Sequence, residues 1–172
     1  MQAKKGISDV IATVLILMLT IVTVVIIAGV IVPFVREGIT ESTRCVPLRE
    51  ALAFDAEQPY NCYADGLNGV SVKAKFDESI SISGFSLVFA KTGASESVKV
   101  ESNSPAGQIR MLNSSLTTLS VPGPGELSTY VYRSNTNFDT VEIFPMLPDG
   151  KICDATDKIR LQACGEISLT IT

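Results

Sequence analysis

Lys4-Lys5-Gly6-Ile7-Ser8-Asp9 leads straight into Val10-Ile11-Ala12-Thr13-Val14-Leu15-Ile16-Leu17-Met18-Leu19, and the next charged residue is Arg36. The uncharged run from Val10 to Val35 is 26 residues long, and a helix needs only about 20 apolar residues to cross a bilayer. Two lysines and a glycine abut the apolar block, with one acid three residues past the glycine. A secretory signal has a shorter apolar stretch, about 7–15 residues, followed by a small-residue cleavage site. Here the block is followed by Pro33-Phe34-Val35-Arg36-Glu37, with no Ala-x-Ala-like site. The segment is therefore expected to stay in the mature protein. Any cut falls before it, at Gly6–Ile7, where a residue without a side chain lets a protease reach the backbone.

Lys4-Lys5-Gly6 followed by Ile7-Ser8-Asp9-Val10-Ile11-Ala12-Thr13-Val14-Leu15-Ile16 resembles the N-terminus of archaeal type IV pilins and related archaellin-like proteins. The resemblance covers residues 4–35. It implies a class III signal peptide, residues 1–6, with Lys4 and Lys5 as its charge and a membrane prepilin peptidase cutting after Gly6. It also implies that the helix opening with Asp9, Val10 and Ile11 packs with copies of itself into the core of an extracellular filament. The pilus assembly machinery is then a further partner. Bacterial relatives carry a glutamate five residues into the mature chain, where this sequence has Ile11, its acid being Asp9. Archaellins tend to open with glycines after the cut, which are missing here. That tilts the implied role toward adhesive pili and away from a swimming filament. The competing reading is a surface-binding domain held in the membrane by an uncleaved signal anchor.

The segment itself has a particular chemistry. Sixteen of the 23 residues from Val10 to Val32 are Val, Ile or Thr, which are mediocre helix formers in water. In lipid or a dry core the backbone must bond to itself, so a single segment can only be a helix. It is apolar all round and must be covered on every side. Thr13, Thr20 and Thr23 are expected to bond back to helical carbonyls. Pro33, lacking an N–H, should bend or loosen the helix, helped by Gly29, with some helix continuing from Arg36 toward Thr43. Asp9 has two readings. It neutralises the α-amine that cleavage would expose on Ile7, or it sits among lipid headgroups and favours the helix dipole.

Lys4 and Lys5 flank the helix on its N-terminal side, while Arg36 and Glu37 cancel on the other. The short N-terminus should stay cytoplasmic and the rest should face outside. Net charge is −4, and no basic stripe with interleaved aromatics suggests nucleic acid. Residues 7–44 read as helix and stalk, and residues 45–172 as one head domain of ordinary size. The four cysteines, Cys45, Cys62, Cys153 and Cys164, all lie beyond the membrane segment, as suits an oxidising compartment. Four cysteines allow three pairings. Cys45–Cys62 and Cys153–Cys164, closing short loops, is the expected one, each bridge contributing roughly 2–4 kcal/mol.

Past Cys45 the period changes. An irregular connection over 46–67, with a helical turn near Leu48–Phe54, precedes alternation at Val70, Val72, Ala74 and Phe76, continued by Ile80 and Ile82. The phase flips after Gly84 to Phe85, Leu87 and Phe89, which suggests a bulge or a crossing between sheets. Thr92-Gly93-Ala94 turns toward Val98 and Val100. Further strands are expected at 107–112, 116–121, 126–133 and 139–145, with turns at Pro122-Gly123-Pro124-Gly125 and Pro148-Asp149-Gly150. Two alternating runs close the chain, Ile159-Leu161-Ala163 and Ile167-Leu169-Ile171. The fold class is α+β: a long N-terminal hydrophobic helix, then an antiparallel β-sandwich of immunoglobulin-like type.

Catalysis finds little support. The chain has no histidine, no phosphate-cradling loop and no nucleophile elbow. Neither an enzyme, a cofactor nor a metal site is expected. Without histidine or C-x-x-C spacing, zinc does not fit the cysteines. Asp149, Asp154 and Asp157 suit turn chemistry at least as well as calcium, and Asp77-Glu78 reads as a solvated turn. Asn113-Ser114-Ser115 is a glycosylation sequon, whereas Asn103-Ser104 is followed by Pro105. One outcome tests the junction. Mass spectrometry of native protein should find Ile7 at the N-terminus, and Gly6→Val should abolish that cut. A mature chain still beginning at Met1 contradicts the cleavage and favours the anchored domain.

Overall fold

The computed structural model describes residues 5–112, 118–165 and Leu169, with the side chains of all of these except 5–9 and 36–42. Two compact units emerge, Met1–Arg44 and Cys45–Thr172. The first is helical throughout its described length. Helix α1 spans Lys5–Ile26, a π-turn occupies Ile27–Ile31, and α2 runs over Val32–Cys45. Thr13, Thr20 and Thr23 bond their hydroxyls to the carbonyls of Val10, Leu17 and Leu19 at 2.9, 2.8 and 2.7 Å. The β-branched content therefore does not prevent a helix.

Pro33 loosens the ladder one turn ahead of itself. In a regular helix its missing N–H would leave the Gly29 carbonyl unpaired, and its ring would crowd that same carbonyl. The π-turn widens the helix there, with the Val32 N–H bonding to the Ile27 carbonyl, five residues back. Pro33 then sits in the first turn of α2, where no N–H is needed. The helix continues past Thr43 to Cys45.

The second unit is β-rich. A 3₁₀ turn at Val46–Leu48 buries Leu48 and leads into β1, Leu52–Phe54. The helical turn expected near Leu48–Phe54 therefore lies a little earlier, and Leu52–Phe54 is strand. Next come β2 (Cys62–Ala64), β3 (Leu67–Ala74), β4 (Gly84–Lys91), β5 (Ala94–Glu101) and β6 (Ile109–Met111). The remaining strands are β7 (Leu127–Arg133), β8 (Thr140–Met146), β9 (Asp157–Arg160) and β10 (Gln162–Ala163). One sheet has the order β10-β2-β3-β7-β6, with β1 also paired to β3; the other has the order β5-β4-β8-β9. All pairings between these strands are antiparallel except β10 with β2.

Both sheets contribute to one core. Val70, Val72 and Tyr130 from the first meet Phe85, Leu87, Phe89, Val141 and Ile143 from the second, all 0% exposed. Phe85 meets Tyr130 edge-on at 5.4 Å, and Phe89 stacks on Tyr132 at 4.9 Å. Burying such side chains stabilises by about 1.5–3 kcal/mol each.

The alternation at Val70–Ala74 is a real strand face, but strand ends at Ala74. Phe76, Ile80 and Ile82 instead lie in the crossing from β3 to β4 and pack against a smaller cluster around Leu48, Ala51, Leu147 and Cys153. The phase flip at Gly84 thus marks a change of sheet. Of the expected 116–121 strand, Thr118 forms an isolated bridge to Pro105 and Leu119 exchanges backbone hydrogen bonds with Asn103 and Ser104, while residues 116–117 lie outside the described residues. Ile159–Ala163 is two strands, because the chain passes from one sheet to the other at Leu161, whose N–H bonds to the Asp139 carbonyl. Ile167 and Ile171 also lie outside the described residues. Asp65-Gly66, with φ of 48° and 77°, forms the two-residue turn joining β2 to β3, the conformation that Asp-Gly favours.

Pairing of the cysteines differs from expectation. The bridges are Cys45–Cys153 and Cys62–Cys164, not Cys45–Cys62 and Cys153–Cys164. Sheet adjacency decides it. β10 runs beside β2 with Gln162 opposite Cys62, which brings the Cα of Cys164 within 5.0 Å of that of Cys62. Cys45 and Cys153 meet around Leu48 and Leu147, 5.6 Å apart at Cα. The sequence separations are 108 and 102. In the chain-entropy picture one closed loop of about 100 residues contributes about 4.7 kcal/mol, more than a short loop would.

The first sheet is also covered on its other side. Cys62, Val131 and Leu169 cluster there, over a position where β3 carries Gly69. A Cβ at Gly69 would run into the Tyr60 carbonyl oxygen and lie 2.9 Å from Leu169. Gly69→Ala should therefore lower the stability of the β-rich unit by about 1–3 kcal/mol, as overpacking does. Urea unfolding of the full chain in detergent, followed by near-ultraviolet circular dichroism, checks this. An unchanged midpoint contradicts the packing over Gly69.

Candidate functional site

The N-terminal helix is the leading candidate because nothing in the described chain covers it. Every residue from Val10 to Val35 is exposed, and the segment is long and apolar enough, by length and composition, to cross a membrane. At 1.5 Å per residue it measures about 39 Å, against a bilayer core of about 30 Å. The Gly6–Ile7 bond lies in the first turn of α1, with Asp9 and Val10 one turn on. Glycine lowers helix stability by about 1 kcal/mol against alanine, which weakens that turn. Lys4 lies outside the described residues, as do the side chains of Lys5, Ile7 and Asp9.

Of the other residues singled out by sequence, Asn113 lies outside the described residues. Asp77 accepts from the Ser79 N–H at 2.9 Å and from its hydroxyl, in a turn. The Ser79 side-chain and backbone bonds hold its carboxyl below the usual range. Asp157 accepts from the Phe54 N–H at 2.8 Å, tying β1 to the start of β9. Asp149 accepts from the Lys151 N–H at 3.1 Å. Both carboxylates thus have structural partners. Among the described residues no group of three or more His, Cys, Asp and Glu side chains is placed to hold a metal.

A polar cluster between the sheets escaped the sequence. On β5, Glu96 shares the inward parity of Val98 and Val100, and its carboxylate receives the Tyr132 hydroxyl and, at 3.3 Å, that of Ser134. The parity was the available signal: an acid in phase with two valines needs a partner. This group edges an open cleft of about 560 Å³ lined also by Gln108, Arg133 and Thr136. Nearby, buried Asn68 accepts from the Phe138 N–H at 3.0 Å and donates to the Thr136 carbonyl at 3.1 Å, fixing the chain between β7 and β8. Burial first, then the hydrogen bond to and the charge of Glu96, pushes the Tyr132 hydroxyl up to about 12. Burial raises Tyr130 as well.

No protein-family model, curated protein or solved structure matches this chain.

The tyrosine carries a consequence for pH. A folded-state value raised above the ordinary 10.0 favours the neutral hydroxyl, so its contribution is complete below pH 10 and fades as pH passes the folded value. Stability of the β-rich unit should therefore drop between about pH 10 and 12, and Tyr132→Phe should lessen that drop, Tyr130 supplying a further part of it. Tyrosinate absorbance against pH, read beside the unfolding midpoint, gives the answer. Full ionisation of Tyr132 near pH 10 in the folded protein contradicts the cluster.

Proposed function

We propose that this chain is the precursor of a pilin-like structural subunit, which loses residues 1–6, assembles through its N-terminal helix and displays residues 45–172 on a cell-surface filament. One observation carries the reading. A 26-residue uncharged helical segment, Val10–Val35, uncovered along its whole length, begins three residues after Lys4-Lys5-Gly6. Water cannot be its final surroundings, since burial is worth about 25 cal/mol for each Å² of apolar surface. Lipid covers it in the precursor, and identical helices cover it in the filament. Membrane, prepilin peptidase and assembly machinery are the partners that follow. The two disulfides fit a head exported into an oxidising space.

The head is an immunoglobulin-like sandwich in this reading. Immunoglobulin domains order their strands A-B-E-D on one sheet and C-F-G on the other, with C′ added beside C in variable types. Here β1-β3-β7-β6 and β5-β4-β8-β9 follow the same two orders, and the shared apolar core between them supports face-to-face packing. β2 and β10 are additions beside β3. The chain has no tryptophan, and its bridges do not join the B and F positions. The likeness is one of architecture.

A charge placed mid-helix separates assembly from folding. Val22→Lys puts an ammonium where a bilayer or helix bundle is driest, at a cost of about 2.5–3.5 kcal/mol on insertion scales. Cells making this variant should show no filaments by electron microscopy, while its head keeps both disulfides. Filaments of normal abundance contradict the proposal. Dispersed membrane protein in the unmutated strain, despite a cut at Ile7, favours the anchored binding domain.

A further inference from the structure

We infer that the two disulfides form a duplicate tension path, which carries force from the point where the chain enters the head toward interior strands, bypasses the short strand β1 and shares the load on β10. The inference rests on the filament reading for its purpose, since a subunit held by its helix and gripped elsewhere is pulled. Its geometry rests on the bridges alone.

Consider the elements nearest the ends of the head. β1 has three residues and pairs only with β3 at Leu52↔Ala74, Ala53↔Lys73 and Phe54↔Val72. β10 has two residues and, among the described residues, pairs only with β2. Strands this short hold few hydrogen bonds, and each bond adds only about 0.5–1.5 kcal/mol net. Force entering along the backbone at Cys45 would peel β1 from its outer end, and force on the C-terminal side would peel β10.

Each bridge lies just outside one of these strands. Cys45 stands seven residues before Leu52 and is bonded to Cys153. The Cys153 N–H in turn donates to the Pro145 carbonyl on β8 at 2.9 Å, and β8 lies between β4 and β9 within its sheet. Cys164 directly follows Ala163, the last residue of β10, and is bonded to Cys62 on β2, which pairs with β3. Tension at Cys45 therefore reaches the stretch bonded to β8 without first loading β1, and tension at Cys164 is shared between β10 and β2.

The crossed order makes either bridge sufficient to limit extension. With Cys45–Cys153 closed, the covalent route from Cys45 to residue 172 contains only the 19 residues after Cys153. With Cys62–Cys164 alone, it contains 17 residues to Cys62 and 8 after Cys164. At roughly 3.4 Å per residue these routes span about 65 and 85 Å, against about 430 Å for the unbridged head.

Single-molecule pulling of the full chain in detergent, through tags at its two ends, tests this. The helix contributes equally in every sample and is subtracted. Oxidised protein should lengthen by no more than about 65 Å in its head, and reduced protein by about 430 Å. The oxidised pairs Cys45→Ala/Cys153→Ala and Cys62→Ala/Cys164→Ala should both stay below about 90 Å. The first pair should begin to extend at lower force than the unmutated chain, because β1 is then loaded. A single-bridge variant that extends to about 430 Å overturns the duplicate path. An unchanged starting force in the Cys45→Ala/Cys153→Ala chain overturns the bypass of β1. Neither result needs a filament, so the outcome is independent of whether the chain assembles.

Discussion

An uncharged helix with no polar face has to be taken out of water along its entire circumference, and this requirement governs the rest of the molecule. Its backbone is satisfied internally, and three threonine hydroxyls fold back onto its own carbonyls. Nothing polar is left to hold it in solution. The β-rich unit has a filled core of its own in Phe85, Leu87, Phe89 and Tyr130. That core needs no help from the helix. The two units therefore answer two separate demands, one met by surroundings that exclude water and the other by the chain folding on itself.

The boundary between these demands falls at Cys45, the last residue of α2 and the first of the β-rich unit. A covalent bond there to Cys153 joins the start of the second unit to the stretch after β8. The second bridge does the same between β2 and the residue after β10. Each closes a loop of about a hundred residues, so each removes more freedom from the unfolded chain than a short loop would. Small edge strands, which are weak by hydrogen bonding alone, are thereby kept in place.

Local signals suffice wherever one local pattern dominates. A run of 26 uncharged residues outweighs the poor helix propensity of Val, Ile and Thr, and the alternations at Val70–Ala74 and Phe85–Phe89 announce faces that do point into the core. What stayed hidden depended on contacts distant in sequence. The cysteine pairing follows from β10 lying parallel to β2 and from the chain changing sheets at Leu161, and neither leaves a mark on composition. Ile80 and Ile82 look like strand because their parity is right, yet they cover Leu48 and Leu147 from a crossing segment. Two further clues are local: Asp65-Gly66 is a strong hairpin signal, and Glu96 keeps the parity of half-buried Val98 and buried Val100.

The central claim is that Val10–Val35 is finally covered by copies of itself, and a photo-crosslinker at Leu17, deep in the exposed apolar surface, interrogates that most directly. In mature native material the account predicts crosslinks from Leu17 to the same helix of neighbouring copies, found as a ladder of covalent oligomers. Crosslinks to lipid alone, with the protein remaining monomeric, would contradict it.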